Sequence, residues 1–279
     1  MLSAQSSLPR ALFGLLVLLA LIGARPGTAS AADPDSPSRG GASRTAPGYD
    51  ISYPQCGGPF PRDPAFTIVG VNGGRVHSVN PCLGTGDDPS ELAWGGRGTE
   101  LYANTGNPGP ELSSFWPDGQ SYPLPCNTLS NPGRDTEECA YDYGWNAARH
   151  SYATAVEAYI SLGWAEPGSV RTPVANHWWL DVETSNSWRR DTRLNLAALR
   201  GAVDYLESVD VASVGFYSTA KQWGVITGGT QAFAEHASWV AGARTVTGAR
   251  RNCATVGFTG GPVAYTQYFL NGFDANYRC

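Results

Sequence analysis

The sequence predicts a single α/β barrel with long loops, for three reasons. Residues 48–279, which follow the N-terminal leader, have the size of one (β/α) barrel domain, typically about 250 residues. Along this part, short apolar strand patterns alternate with helical stretches, and that succession favours a parallel sheet with helical cover. Its C-terminal end is poor in helical patterns, so we expect the last strands to lack their full set of helices.

The elements follow in order along the chain. Strand patterns occupy 48–52, 66–72, 100–106, 175–184 and 213–219, and two more close the chain at 254–260 and 263–269. Helical periodicity occupies 144–164 and 193–208. Between strands, the segments 73–99 and 105–142 are rich in Gly and Pro and have no clear period. Loops of this length in a compact domain are usually functional or disordered.

The N-terminal residues predict a secretory signal peptide. Arg10 precedes the apolar run ALFGLLVLLALIG at 11–23, and ASA at 29–31 is an A-x-A cleavage pattern. The run is shorter than the roughly 20 apolar residues that a membrane span needs, so we expect a signal peptide at 1–31; an uncleaved anchor is the alternative. Residues 32–47 are rich in Pro, Ser and Gly and are predicted to be a flexible leader, which leaves the barrel at 48–279.

Composition points to an extracellular protein with disulfides. The six cysteines all follow the predicted cleavage site, and an even count in that context implies disulfide bonds. Six cysteines allow fifteen connectivities, and proximity in the chain suggests Cys56–Cys82, Cys126–Cys139 and Cys253–Cys279.

Charge and spacing argue against several other partners. The net charge of −5 and the absence of a basic stripe exclude a nucleic-acid partner. No second apolar stretch is long enough for a membrane span, so we expect no membrane partner after cleavage. Cys and His spacings match no zinc motif and the four histidines are far apart in the sequence, so no metal or other cofactor is expected.

Two acids end the strand pattern ANHWWLDVET. Side chains alternate along a strand, and the face that carries the acids comprises His177, Trp179, Asp181 and Glu183. The opposite face is apolar and comprises Trp178, Leu180 and Val182. We expect the apolar face to pack on the covering helices and the acids to lie at the C-terminal rim, where barrel active sites are built.

Such an acid pair suits the cleavage of a glycosidic bond. Residues two apart on a strand are separated by roughly 6–7 Å, so repulsion can keep one carboxyl protonated and leave the other ionised. One acid could then protonate the leaving oxygen while the other stabilises the positive charge of the transition state. A structural acid pair held by Arg189 or Arg190, or a calcium site, is the alternative.

Several motifs in order resemble the family 25 glycoside hydrolases, the DxE-type lysozymes that cleave peptidoglycan. The matching segments are GYDIS at 48–52 with Gln55 after it, LDVE at 180–183, GFYST at 215–219 with Trp223 after it, ASWVA at 237–241, and AYTQY at 264–268 followed by FDANYR at 273–278. The resemblance implies a (β/α)5(β)3 barrel and hydrolysis of the β-1,4 bond between N-acetylmuramic acid and N-acetylglucosamine.

The resemblance also implies roles for individual residues. Glu183 would be the general acid, and Asp181 would position the N-acetyl group of the substrate or stabilise the charge it develops. With these roles we expect Glu183 to hold the proton and Asp181 to remain charged. Substrate-binding residues would be Asp50, Asp274, Tyr217, Gln267 and Tyr268.

Two departures from the family keep other functions open. The second strand ends in Asn72 where the family has an acid, and the third continues as YANTGN where the family has an aromatic YHF. A silent barrel that binds glycan or cell wall without hydrolysis is therefore one alternative, and a secreted interaction protein that uses its long loops is another. A chitinase-like family 18 barrel would need acids where this chain has Asn176 and Trp179.

Overall fold

A computed structural model describes residues 46–85 and 89–279. The described residues form a closed barrel in which eight strands follow their sequence order. Strands β1 to β7 pair in parallel, whereas β8 is antiparallel to both β7 and β1. The strands are β1 Gly48–Ile51, β2 Thr67–Gly70, β3 Glu100–Asn104, β4 His177–Asp181, β5 Ser213–Ser218, β6 Ser238–Ala243, β7 Val263–Leu270 and β8 Phe273–Arg278.

Five helices within the described residues follow β2 to β6. They are α1 Glu91–Gly95, α2 Glu137–Ser161, α3 Thr192–Ser208, α4 Ala220–Thr227 and α5 Val246–Asn252. Strand β1 instead leads into a 3-10 turn at Tyr53–Gln55, and β7 turns directly into β8. The predicted single α/β barrel with a helix-poor C-terminal end is confirmed. The predicted signal peptide and the leader up to residue 45 lie outside the described residues.

The strand predicted at 254–260 is wrong. These residues form turns between α5 and β7, and Gly257 N–H donates to Gly261 O at 2.9 Å. Val256, which made the segment resemble a strand, is 75% exposed. The strand that precedes α5 is β6, whose residues only the family resemblance had indicated.

Helix α2 begins seven residues before its predicted start. Thr136 caps it by accepting from the Cys139 N–H, and Glu137 and Glu138 lie in its first turn, where carboxylates interact favourably with the helix dipole. The capping residue and the acidic first turn are local signals of a helix start. The prediction was based on the 3.6-residue period alone, and therefore placed the start too late.

Glycines bring α2 and α3 into close contact outside the barrel. A Cβ added at Gly144 would lie 1.8 Å from the carbonyl oxygen of Ala198, and one at Gly201 would lie 2.0 Å from that of Tyr141. The two backbones therefore touch at positions that only glycine permits.

The alternation predicted for β4 is confirmed. Trp178 and Leu180 of β4, and Val182 just beyond its end, belong to the main core with buried side chains of α2 and α3, such as Tyr152 and Leu199. Trp179 lies in a separate inner cluster with Ile68, Trp239 and Tyr265. One side of β4 thus faces the helices and the other faces the barrel interior.

The interior is closed below the rim by hydrogen-bonded side chains around Glu100. Its carboxylate accepts from Trp179 Nε1 at 2.7 Å and from Tyr265 Oη at 2.6 Å. The Arg278 guanidinium lies 4.4 Å from the centre of the Phe66 ring. Asp181 at the end of β4 and Glu183 beyond it consequently lie above this packed layer of side chains.

Three disulfides hold the loops, and they are the three pairs that chain proximity suggested. Cys56–Cys82 joins the β1–β2 turn to the excursion before α1, and Cys126–Cys139 joins the long β3–α2 loop to the first turn of α2. Cys253–Cys279 attaches the last residue to the end of α5. No helix within the described residues is long and apolar enough to cross a membrane.

Candidate active site

Four predicted acids lie together at the C-terminal mouth of the barrel. Asp50 on β1 is in register with Asp274 on β8. Asp181 ends β4, and Glu183 follows two residues later. Electrostatic repulsion links Asp50 with Asp274 and Asp181, and Glu183 with Asp181 and Asp274. The mouth is therefore a ring of mutually repelling carboxyl groups.

Asp50 is held by two neutral amides. Asn276 Nδ2 donates to its carboxylate at 2.6 Å, and Gln267 Nε2 donates at 3.1 and 3.2 Å. Both amides are oriented in turn, because Trp239 Nε1 donates to Asn276 Oδ1 at 2.7 Å and Tyr217 Oη donates to Gln267 Oε1 at 2.8 Å. Desolvation, with repulsion from Asp274, raises the pKa of Asp50 to about 7.

Asp181 is the deepest of the four acids. It is 5% exposed, and its Oδ2 accepts from Asn104 Nδ2 at 2.6 Å. Its other oxygen, Oδ1, is buried and has no partner among the described residues. Desolvation, followed by repulsion from Glu183, raises the pKa of Asp181 well above its usual range.

The depth of Asp181 bears on the protonation that was expected of the acid pair. The sequence suggested a charged Asp181 beside a protonated Glu183, but burial disfavours the charged form of Asp181. The physical reason is depth, which the spacing of two acids on a strand does not reveal.

Glu183 is half-buried and lies in a hydrogen-bonded turn beyond the end of β4. Its Oε1 accepts from Gln222 Nε2 at 3.2 Å. The Gln222 amide is oriented because its oxygen accepts from the backbone N–H and the hydroxyl of Thr184, at 2.7 and 2.9 Å. Trp188 Nε1 donates to the Glu183 carbonyl at 2.8 Å. This turn holds the carboxyl group at the rim.

Other predicted contact residues separate into two groups. Tyr217 and Gln267 are at the mouth, and burial followed by repulsion from Glu183 raises the pKa of Tyr217, so it remains a neutral donor. Tyr268 is not at the mouth. The alternation that turns Gln267 inward sends Tyr268 outward, where it is buried with Tyr49 and Ala249.

Sequence reasoning missed the amides that hold the acids. Asn104, Gln222 and Asn276 donate to three different carboxylates. Asn104 could have been found, since it ends β3 beside Asp181 on the neighbouring strand. The positions of Gln222 on α4 and Asn276 on β8 follow only from closure of the barrel.

Asn72, the departure at the end of β2, has a structural role. Its Oδ1 accepts from the Asn104 N–H at 2.9 Å. Its Nδ2 donates to Ser78 O at 2.9 Å and to Ser151 Oγ at 3.2 Å. Asn72 thus holds the backbone of the residue whose side chain binds Asp181.

An open cleft of about 550 Å³ lies beside the acids, between three loops. The loops contribute residues 74–76, 106, 108, 112–115 and 185–187, and Tyr143 of α2 also lines the cleft. The third loop begins two residues after Glu183, and Asn186 N–H donates to Glu183 O at 3.1 Å. Both long excursions noted in the sequence therefore contribute walls next to the mouth.

The structural alternatives for the acid pair do not match this geometry. Arg189 forms an ion pair with Asp135. No described Lys or Arg forms an ion pair with any of the four mouth acids. In the part of the chain that the structure describes, no three His, Cys, Asp or Glu residues form a metal-binding group. His77 and His150, distant in sequence, do lie close, with ring centres 5.5 Å apart.

Comparisons with known folds find muramidases and lysozymes. The muramidase of Acremonium alcalophilum is 15% identical with a TM-score of 0.47, and that of Trichobolus zukalii is 16% identical with a TM-score of 0.49; each match covers 84% of this chain and 93% of the other. The lysozyme of Streptomyces coelicolor is 15% identical with a TM-score of 0.42, covering 84% of this chain and 91% of the other.

Sequence comparisons give two matches to lysozymes. The family model described as lysozyme-like protein 1 matches residues 170–248. A probable GH family 25 lysozyme 4 of Dictyostelium discoideum is 40% identical over 63 residues, which are 23% of this chain and 29% of the relative. The matched segment thus spans less than a third of that relative. These matches confirm the resemblance to the family 25 lysozymes, and the family model covers the strand that carries Asp181 and Glu183.

Proposed function

We propose that this protein is a secreted glycoside hydrolase that cleaves the β-1,4 bond between N-acetylmuramic acid and N-acetylglucosamine in peptidoglycan. The observation that carries the proposal is the ring of four carboxyl groups at the open end of the barrel, of which amides hold three and described cations pair with none. Buried like charges without counter-ions destabilise a fold. Such an arrangement suits a site that must donate a proton and stabilise a developing positive charge.

Glu183 is the general acid in this proposal. It is more exposed than Asp181, and Gln222 holds only one of its two oxygens. Its proton passes to the glycosidic oxygen as the bond from that oxygen to the anomeric carbon breaks. The leaving sugar then departs as a neutral alcohol.

Asp181 binds and orients the acetamido group of the substrate in this proposal. Its unpartnered Oδ1 accepts the N–H of the substrate's acetamido group, whose carbonyl oxygen attacks the anomeric carbon. Water then opens the cyclic intermediate and returns a proton to Glu183. A hydrogen bond to the charged form of a carboxyl favours that form. Substrate binding therefore favours the ionised form of Asp181, which stabilises the charge that develops while Glu183 acts as the acid.

Secretion is part of the proposal. An A-x-A signal sequence, three disulfides and lysozyme relatives all fit a protein that acts on cell walls outside the cell.

The test is release of reducing ends from purified peptidoglycan. Glu183→Gln keeps shape and hydrogen bonding but removes the transferable proton, so turnover should fall by roughly 10²–10⁴. Asp181→Asn should also lower turnover, because an amide cannot supply the negative charge that stabilises the developing positive charge. Glu157→Gln, an exposed change on α2, is the matched control and should leave turnover unchanged.

Two results would contradict the proposal in different ways. Wild-type protein that binds peptidoglycan fragments without ever releasing reducing ends would establish the silent barrel. Unchanged turnover in Glu183→Gln would mean that another group is the acid.

A further inference from the structure

The cleft beside Glu183 differs in charge from the mouth. Four carboxyl groups ring the mouth, whereas the described residues that line the cleft include no acid and one cation, Arg75. The remaining polar lining consists of hydroxyl and amide groups, from Ser113, Ser114, Ser185, Asn186 and Ser187. The two regions therefore favour different parts of a substrate.

Arg75 projects from a fixed turn. Ser78 Oγ donates to Arg75 O at 2.6 Å and accepts from the Arg75 N–H at 3.2 Å. The same turn is held from below, since Ser78 O accepts from Asn72. Asn72 also holds the backbone of Asn104, whose side chain binds Asp181. The cation and the deepest acid are thus positioned through one short network.

The Arg75 side chain is available for a ligand. The residue is exposed, and its guanidinium has no ion pair or side-chain hydrogen bond among the described residues. The hydrogen bonds that Arg75 forms with described residues are made by its backbone.

A second donor in the cleft also lacks a partner. Asn186 Nδ2 is buried from solvent and makes no hydrogen bond to any described residue. Buried donors are nearly always satisfied in native proteins. Asn186 also lines the cleft, so a rotation of its side chain would offer this donor to a bound group. Asn186 lies on the loop that follows Glu183. A hydrogen bond joins this loop to the opposite wall of the cleft, since Asn107 N–H donates to Ser187 O at 2.8 Å.

We propose that this cleft recognises a carboxylate on the substituent of the sugar next to the scissile bond, with Arg75 as the cation and Asn186 as an additional donor. The inference rests on the proposed function, whose substrate has two sources of that chemistry. One is the lactyl carboxyl of muramic acid, and the other is the peptide stem attached to it. A planar guanidinium binds carboxylates through two parallel hydrogen bonds. The four mouth acids repel an anionic substrate, so a cation beside them also offsets that repulsion.

Three soluble probes separate the sources. The first is a tetrasaccharide of alternating N-acetylglucosamine and N-acetylmuramic acid with peptide stems. The second is the same tetrasaccharide without stems, which exposes the lactyl carboxylate, and the third is chitotetraose, which has no carboxylate. Affinities are measured by titration calorimetry in a Glu183→Gln background, so that the probes are not cut.

Arg75→Gln should weaken binding of a carboxylate probe about tenfold, the loss expected for one charge-assisted pair at a solvent-accessible site. Binding of chitotetraose should not change. Arg75→Lys should give an affinity between those of the wild-type residue and Arg75→Gln. Lysine keeps the positive charge but cannot form the two parallel hydrogen bonds of a guanidinium. Arg200→Gln makes the same charge change on the exposed face of α3 and should leave all three affinities unchanged. A loss only with the stem-bearing probe identifies the carboxylates of the peptide, and a loss only with the stem-free probe identifies the lactyl carboxylate. A loss with both muramic-acid probes means that the cleft binds either carboxylate.

Failure of this inference is distinguishable from failure of the proposed function. Equal loss on all probes, or no loss on any, overturns the role of Arg75 even if peptidoglycan is hydrolysed. Suppose that binding is selective for carboxylates and depends on Arg75, but that the wild-type protein releases no reducing ends. This result supports the inference and contradicts the proposed hydrolase activity. Absence of binding to every probe overturns both.

Discussion

Asp50→Asn should stabilise the protein at alkaline pH and have little effect at acid pH. The pKa of Asp50 is raised from 3.8 to about 7, first by desolvation and then by Asp274. Above pH 7 the carboxyl is ionised in both folded and unfolded states, and the folded state bears the cost of the buried charge. Below 3.8 it is protonated in both and the cost is absent. Wild-type stability therefore falls as pH rises from about 4 to 7.

The magnitude follows from the pKa values. Each pKa unit corresponds to about 1.4 kcal/mol, so a change from 3.8 to about 7 corresponds to an upper limit of about 4 kcal/mol. Asparagine keeps the acceptor that faces Asn276 but turns its own N–H₂ toward Gln267, which removes one hydrogen bond worth about 1 kcal/mol. We expect a net gain of about 2–3 kcal/mol at pH 8 that disappears by pH 4, where the lost hydrogen bond leaves a destabilisation of at most about 1 kcal/mol.

Urea unfolding at pH 4 and pH 8, with disulfides intact, measures this gain. Asp63→Asn replaces an exposed aspartate and should be neutral at both values. A gain of equal size at both pH values, or a loss at pH 8, would refute the argument, because either result would mean that Asp50 does not bear a pH-dependent burial cost in the fold.

Three further predictions concern the helix contact, a histidine and the N-terminus. Gly144→Ala should destabilise by about 3 kcal/mol by forcing α2 from α3, whereas Gly224→Ala on α4, where a Cβ meets nothing within 4 Å, should stabilise by up to about 1 kcal/mol; thermal unfolding of both compares them. Desolvation, with repulsion from His150, lowers the pKa of His77 from 6.5 to about 4. Wild-type stability should thus decline as pH falls from 6.5 to 4, and His77→Asn should flatten that decline in urea titrations. N-terminal sequencing of the secreted protein should begin at Ala32, and retention of residues 11–23 would indicate a membrane anchor.

The barrel and the placement of Asp181 and Glu183 were predictable from local patterns, whereas Asp50 and Asp274 were indicated only by the family resemblance. Alternation along HWWLDVE separates an apolar face from an acidic one, because side-chain direction in a strand has a period of two. That rule assigned Trp178 to the helices and Trp179 to the interior, as the structure has them. The three disulfides also followed from chain order, since each closes a short local loop.

Only the tertiary structure decided how the acids are held and how deep each lies. Asp181 receives its donor from the neighbouring strand, Glu183 from α4, and Asp50 from β7 and β8, more than 200 residues away along the chain. Tyr268 and Gln267 are adjacent in the sequence, yet the direction of β7 in the closed barrel sends only Gln267 to the mouth. The protonation of each carboxyl group depends on these hydrogen-bond partners and on burial, and residues of several strands contribute to both. A sequence therefore identifies which residues can do the chemistry, whereas packing decides which carboxyl keeps the proton, because desolvation is a property of the whole surrounding volume.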